Sequence, residues 1–206
     1  MITARSISHR YHNDIALQST TLHITKGEFV AFIGESGSGK STLLSILSTL
    51  LTPTEGDVLF LGQKVQDIQN IDSFRKENIG FIFQFHYLID YLNVKENLKI
   101  ADNSIADATV HKLSQKLGIH HLLAKYPNEL SGGQRQRVAI VRALINKPKV
   151  VFADEPTGNL DSKNSRIVFE LFKQLSQEGT TIIVTTHNKQ LADFADTIYE
   201  VSDGAL

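Results

Sequence analysis

The run Gly34-Glu35-Ser36-Gly37-Ser38-Gly39-Lys40-Ser41, set between two apolar segments of different period, constrains this fold more than any other feature. Residues 28–33 form a nearly unbroken apolar run of the length of a buried strand. Residues 41–47 space Leu43, Leu44 and Leu47 as one face of a helix. The run between them has a glycine, four free positions and then Gly-Lys-Ser, the pattern of a phosphate-holding loop. Its glycines admit positive φ, so successive amide hydrogens turn inward, and an anion comes to rest on the positive end of the helix. A Gly/Ser-rich surface turn has the same composition, but it does not require a strand before it and a helix after it.

Length and composition narrow the class. With 206 residues and 41% hydrophobic content, the chain buries a proper core as one domain, with or without one inserted lobe. Its 21 basic and 22 acidic residues leave a net charge of -1, which gives no electrostatic grip on nucleic acid or anionic lipid. Nucleic acid is therefore not an expected partner. The absence of cysteine excludes disulfides and thiol chemistry and fits a reducing compartment. The first residues lack the apolar run of a secretory signal, and no segment approaches the ~20 apolar residues of a membrane span. Any membrane role is expected to come through a partner chain.

The order of elements indicates an α/β fold. Strand patterns at 2–7 and 16–24 precede the loop strand; others follow at 57–61, after the turn Pro53-Thr54-Glu55-Gly56, and at 79–84. From about 88 to 145 helical spacing takes over, as at 106–117 and 132–145. After Pro148 come a strand (150–153), a helix (161–175), a strand (181–185), a helix (189–195) and a last strand (197–201). A single domain over 1–206 is expected, with a mostly parallel core at about 1–87 and 146–206, an N-terminal antiparallel β region, and a helical lobe at about 88–145.

The chemistry clusters at strand ends. Residues 150–153 run into Asp154-Glu155-Pro156, and carboxylates at the C-terminal end of a parallel strand lie where α/β sheets place ligands. Asp-Glu-Pro is also an ordinary strand exit, but beside a phosphate loop two adjacent carboxylates divide the work. Asp154 holds magnesium and Glu155 polarises an attacking water, while Lys40 and Ser41 serve the β and γ phosphates and the metal between them. His187 ends the strand at 181–185 on the same edge, whereas the seven other histidines have no metal-ligand spacing. Ser131, Gly132 and Gly133 open a helix and offer a hydroxyl, free amides and a positive dipole end, a second anion site. Alone, that run also reads as a glycine turn before the basic stretch Arg135-Gln136-Arg137.

In this order and spacing the runs resemble the ATPase subunit of ATP-binding-cassette (ABC) transporters over nearly all of the chain. Leu130-Ser131-Gly132-Gly133-Gln134 matches the signature of that family and is far more discriminating than the phosphate loop. The resemblance implies a P-loop NTPase (RecA-like) core that binds and hydrolyses ATP with Mg2+. It implies that Gly34 through Thr42 hold the nucleotide, that Glu155, His187 and Lys40 are catalytic, and that Ser41, Gln84 and Asp154 hold the metal. Gln84 matches the family's Q-loop, Asp161 its D-loop, His187 its switch histidine, and Tyr11 is placed like the aromatic residue stacked on adenine. Ser131, Gly132, Gly133 and Gln134 would bind the γ-phosphate held by a second copy, so a homodimer is implied.

The stretches at 79–84 and 154–161 and Thr186-His187-Asn188 are similar to the lipoprotein-releasing and macrolide-exporter branch. That branch implies a separate transmembrane permease, a peripheral position on the cytoplasmic face of the membrane, and lipoprotein, peptide, antibiotic or haem cargo. Phe85, His86, Tyr87 and Leu88 fall where the family receives its permease, and Phe85 and Tyr87 serve equally well as core residues of the lobe. Glu35 departs from the proline common in relatives, and the short C-terminus lacks the regulatory extension of some importers. A soluble ABC ATPase is the alternative. Chromosome-organising ATPases insert a long coiled coil, translation-factor ATPases usually carry two cassettes, and P-loop kinases and GTPases lack the signature; none fits as well.

Overall fold

The computed structural model describes residues 1–100 and 102–206. Strands β1 (Ile2–Tyr11) and β2 (Asp14–Ile24) pair antiparallel, with Ile2 opposite Ile24 and Tyr11 opposite Asp14. Strand β3 (Phe29–Ile33) runs into the glycine loop and helix α1 (Lys40–Leu47). Strands β4 (Glu55–Phe60) and β5 (Gln63–Lys64) complete an antiparallel sheet of order β2-β1-β4-β5. Helix α2 (Ile71–Asn78) leads to β6 (Ile79–Ile82), followed by α3 (Val94–Lys99), α4 (Asp107–Lys116) and α5 (Gly132–Leu144). The chain then alternates through β7 (Val150–Asp154), α6 (Ser162–Gln177), β8 (Thr181–Thr186), α7 (Lys189–Ala192) and β9 (Thr197–Glu200). The second sheet has the order β6-β7-β8-β3-β9, and every neighbouring pair in it is parallel.

The apolar strands are continuous because both faces of the parallel sheet are covered. In β3, Phe29 and Ala31 face one core while Val30 and Phe32 face the other. The same alternation places Val151 and Ala153 of β7 in the first core, and Val150 and Phe152 in the second. The first core is closed by the helices of the 88–145 stretch and by α6, through Leu98, Val110, Val141, Phe169 and Phe172. The second is closed by α1 and the antiparallel sheet, through Leu43, Leu44, Ile2 and Ile7. Each fully buried Phe or Leu contributes roughly 1.5–3 kcal/mol over leaving it exposed, so burial on both faces holds the strand ends that carry the site.

Several boundaries differ from the sequence expectation. Helix α2 carried no clear signal because it is short and mostly polar, with Asn70 capping it through a bond from the Ser73 amide. Strand β6 stops at Ile82, not at 84, since the Phe83 carbonyl accepts from Gln136 Nε2 (3.2 Å). Helix α7 ends at Ala192; beyond it Phe194 and Ala195 bond back only three residues, to Leu191 and Ala192.

Helix α5 lies hard against β6: a Cβ on Gly80 would sit 2.4 Å from the Ala143 carbonyl oxygen. Gly80→Ala must push helix and strand apart, and is expected to lower stability by roughly 1–3 kcal/mol, the cost of overpacking. Urea unfolding followed by circular dichroism measures this.

Candidate functional site

Strands β3, β7 and β8 are parallel, so their C-terminal ends open on one side of the sheet, where α/β folds bind ligands. At the end of β3 the glycine loop turns tightly into α1. Gly34 has φ 153° and Gly39 φ 102°. A Cβ on Gly34 would lie 2.2 Å from the Val201 carbonyl oxygen, and one on Gly39 2.5 Å from that of Ala16. Neither position has room for a side chain, and both use backbone that favours glycine.

Lys40 is buried and folds back beneath the loop. Its Nζ donates to the carbonyls of Gly34 (2.8 Å) and Glu35 (2.6 Å) and lies 3.4 Å from Ser38 Oγ. The ammonium is thus fixed at the loop as a point charge.

Strand β8 lies between β3 and β7, and its Thr185 joins the two sides of the site. Asp154 Oδ1 accepts from Thr185 Oγ1 (2.6 Å) and from Ser41 Oγ (3.0 Å). The Glu155 amide donates to Thr185 Oγ1 (3.1 Å) and to the Thr185 carbonyl (3.2 Å). These bonds hold Glu155 at φ 44°, a left-handed conformation that a non-glycine residue adopts only when its surroundings enforce it. The Gly158 amide closes the turn on the Glu155 carbonyl at 3.2 Å. The Glu155 side chain is 16% exposed, and its Oε2 stands 3.0 Å from Nδ1 of His187, which is 74% exposed. A mostly buried carboxylate therefore meets an open imidazole at the rim.

These groups line a cleft of about 410 Å³ that brings together Ser36, Gly37, Gly39, Lys40, Ser41, Thr42, Gln84, Glu155 and His187. Ala16 and Gly158 also line it, and composition gave no signal for either. Gly34, Glu35 and Ser38 line an adjoining cleft that shares His187. Thr185 is a further site residue that the sequence does not single out; its cue is its place in the Thr185-Thr186 pair that closes a fully buried strand.

The remaining candidates stand apart from this cleft. Tyr11 ends β1, half exposed, with its ring 4.6 Å from that of His9. Ser131 caps α5: its Oγ accepts from the Gln134 amide (3.3 Å) while Gln134 Oε1 accepts from the Ser131 amide (2.9 Å). No acidic residue occupies the first turn, so its positive end is not neutralised. Gly133 packs on the turn at 159–160; a Cβ there would come within 3.2 Å of the Leu160 side chain. Arg137 donates to the Asn164 side-chain oxygen, and Asn164 donates to Asp161 from its amide (2.8 Å) and its Nδ2 (2.7 Å). The bond from the Asn164 backbone holds the Asp161 carboxyl below its ordinary range, with the Asn164 side chain adding to the effect. The start of α5 and the 159–161 turn thus form one unit outside the cleft.

Phe85 (64%) and Tyr87 (61%) are exposed, so the core role weighed for them in the sequence is not the one the fold uses. Leu88 packs against the first core. His86 is half-buried, and desolvation first, then the charge of Arg135, lowers its pKa.

A family model described as ABC transporter matches residues 17–158. The chain belongs to the ABC transporter family. As such it is an ATP-binding and ATP-hydrolysing subunit of a transporter. The lipoprotein-releasing system ATP-binding protein LolD of Shewanella oneidensis is 41% identical over 219 residues, which cover 100% of this chain and 95% of that protein. The macrolide export ATP-binding/permease protein MacB of Campylobacter jejuni is 42% identical over 214 residues, with 100% of this chain matched to 33% of that longer protein. A dimeric, post-hydrolysis structure of the ATP-binding cassette MJ0796, bound to ADP and Pi, superposes with a TM-score of 0.94 at 34% identity, over 100% of this chain and 96% of that one. The α/β ABC fold expected from the sequence is the one observed.

Proposed function

We propose that this chain is the motor subunit of an extrusion-type ABC transporter, and that two copies close on shared ATP to drive a separate permease. The observation that carries this reading is the division of the phosphate-binding parts. Loop residues, Glu155 and His187 line one cleft, with Asp154 bonded to Ser41 beside it, while the start of α5 at Ser131, which has no acidic residue in its first turn, lies outside it. A second copy would bring its Ser131, Gly132, Gly133 and Gln134 to the γ-phosphate held by the loop of the first, with Asp161 beside that contact. ATP would then favour the closed pair, and hydrolysis would remove the group both copies hold, because only differential contact shifts such an equilibrium.

Within the cleft, Lys40 exchanges the Gly34 and Glu35 carbonyls for β- and γ-phosphate oxygens, and the loop amides from Gly34 to Thr42 cradle the rest. Glu155 takes the proton of the attacking water, held in place by its strained turn, and His187 orients the γ-phosphate. The donor set suits magnesium, a hard ion that takes a few oxygen ligands and keeps several waters. The Ser41 hydroxyl and the Asp154 carboxylate already meet at 3.0 Å, and Gln84 lines the same cleft. When bound there, the ion would neutralise charge developing on the phosphates. Tyr11 is assigned to the adenine by resemblance; its half-exposed ring is available for stacking.

No helix among the described residues is long and apolar enough to cross a membrane, which suits a peripheral position on the cytoplasmic face through the permease. The docking surface we assign is the exposed Phe85–Tyr87 segment, with His86 and Leu88, beside a groove of about 510 Å³ lined by Leu50, Phe81, Phe83 and Ile100. Exposed aromatic residues beside an apolar groove suit the core of an interface. Relatives named for lipoprotein release and macrolide export support cargo of the lipoprotein, peptide, antibiotic or haem class.

The test is co-purification of this chain from native membranes, followed by magnesium-dependent ATPase assay with and without the recovered permease. A permease of few spans that stimulates hydrolysis is expected, and Tyr87→Ala is expected to reduce that stimulation by about tenfold, the loss of one central aromatic anchor. Recovery of soluble partners alone would overturn the transport assignment, and undiminished stimulation in the Tyr87 variant would overturn the docking surface.

A further inference from the structure

Helix α5 grips the backbone on both sides of Gln84. On one side, Gln136, fully buried, donates from Nε2 to the Phe83 carbonyl at 3.2 Å. On the other, Arg142 donates from Nη2 to the His86 carbonyl (2.9 Å) and from Nη1 to the Tyr87 carbonyl (2.7 Å). The forked Arg142 contact meets Tyr87 at φ 41°, a left-handed conformation that needs enforcement. Gln84 itself lies beyond the end of β6, so the sheet ladder does not place it. The close approach of Gly80 to Ala143 fixes α5 in register with β6, and the same helix begins at Ser131.

We propose that Gln136 and Arg142 are positioning residues through which α5 sets where Gln84 stands in the nucleotide cleft and where Phe85 and Tyr87 stand on the surface. The start of α5, which faces a second copy, and the segment that faces the permease then move as one body. A shift of α5 displaces the carbonyls of Phe83, His86 and Tyr87 together, and Gln84 with them. The proposal rests on the reading of Gln84 as the cleft residue that follows the metal-bound nucleotide.

Two substitutions separate positioning from stability. Arg142→Lys keeps the charge but replaces a planar fork with a single point donor. Gln136→Met keeps length and burial and removes both the donor and Oε1, a buried atom without a hydrogen-bond partner among the described residues. Removing that orphaned oxygen offsets the lost bond, so the melting temperature of Gln136→Met is expected to stay unchanged.

The measurement is the Mg2+ concentration that half-saturates ATP hydrolysis by the full chain, with thermal melting alongside. Each variant is expected to raise it by about tenfold, as loss of a supporting partner does at metal sites. In a Gln84→Ala background neither should raise it further, because both act through that residue. If Gln84→Ala raises the half-saturating Mg2+ while Arg142→Lys and Gln136→Met do not, the positioning role is overturned and the reading of Gln84 stands. Additive increases in the Gln84→Ala background overturn it as well. If Gln84→Ala leaves the Mg2+ response unchanged, the reading of Gln84 falls and the proposal falls with it.

Discussion

Glu155→Gln is expected to reduce steady-state ATP hydrolysis by more than about a hundredfold, the scale of a lost general base, while ATP binding is retained. The contacts that shape the turn at this position come from the Glu155 backbone, whose amide donates to Thr185 and whose carbonyl accepts from Gly158. An amide side chain of the same size leaves those bonds in place. It also leaves Lys40, Ser41 and Asp154 as they are, so the groups proposed to hold phosphate and metal remain complete. What it removes is the carboxylate oxygen that the proposed mechanism uses to take the proton of the attacking water. Phosphate release measured beside equilibrium ATP binding separates the two effects. Turnover within a few-fold of the unaltered chain would show that Glu155 is not the base.

The parts of this molecule that could be read in advance are those in which local chemistry and global fold agree. Strand β3, strand β7 as far as Ala153 and residues 182–184 of β8 are apolar because each deals alternate residues to two cores, and each strand leads into the loop, the carboxylates or the histidine. Glycine spacing located the loop because Gly34 and Gly39 stand where any Cβ would strike backbone.

Other parts are set by contacts between residues distant in the chain. Thr185 joins Asp154 to Glu155 only because β8 is inserted between β3 and β7, an order that no local pattern carries. The apolar pattern carries a strand on to Gln84; the bond from Gln136 to Phe83, 53 residues apart, takes the chain out of the ladder before it. Helix α2 escaped notice because it buries little apolar surface of its own. The chain order of the loop and the signature says nothing about their distance, and only the fold shows Ser131 outside the cleft that holds Lys40.

That separation gives the second large effect. Ser131→Arg places a long cation at an exposed helix cap that does not line the cleft of Lys40, so ATP binding by the single chain is expected to persist. In the shared-site account the substituted cap can no longer seat on the γ-phosphate of the partner copy, and hydrolysis is expected to fall by more than about a hundredfold, the scale of losing electrostatic stabilisation of developing charge. The lost cap itself destabilises α5 by only about 1 kcal/mol, too little to unfold the chain. Retained ATP binding with lost turnover therefore distinguishes a contact between copies from local damage.

The most direct test of the shared site is the solution mass of Glu155→Gln by light scattering, with ATP, with ADP, and with ATP after adding Ser131→Arg to the same chain. Twice the monomer mass is expected with ATP, and the monomer mass with ADP and in the double variant. A monomer in ATP, or a dimer that persists with ADP or with Ser131→Arg, would contradict the shared site.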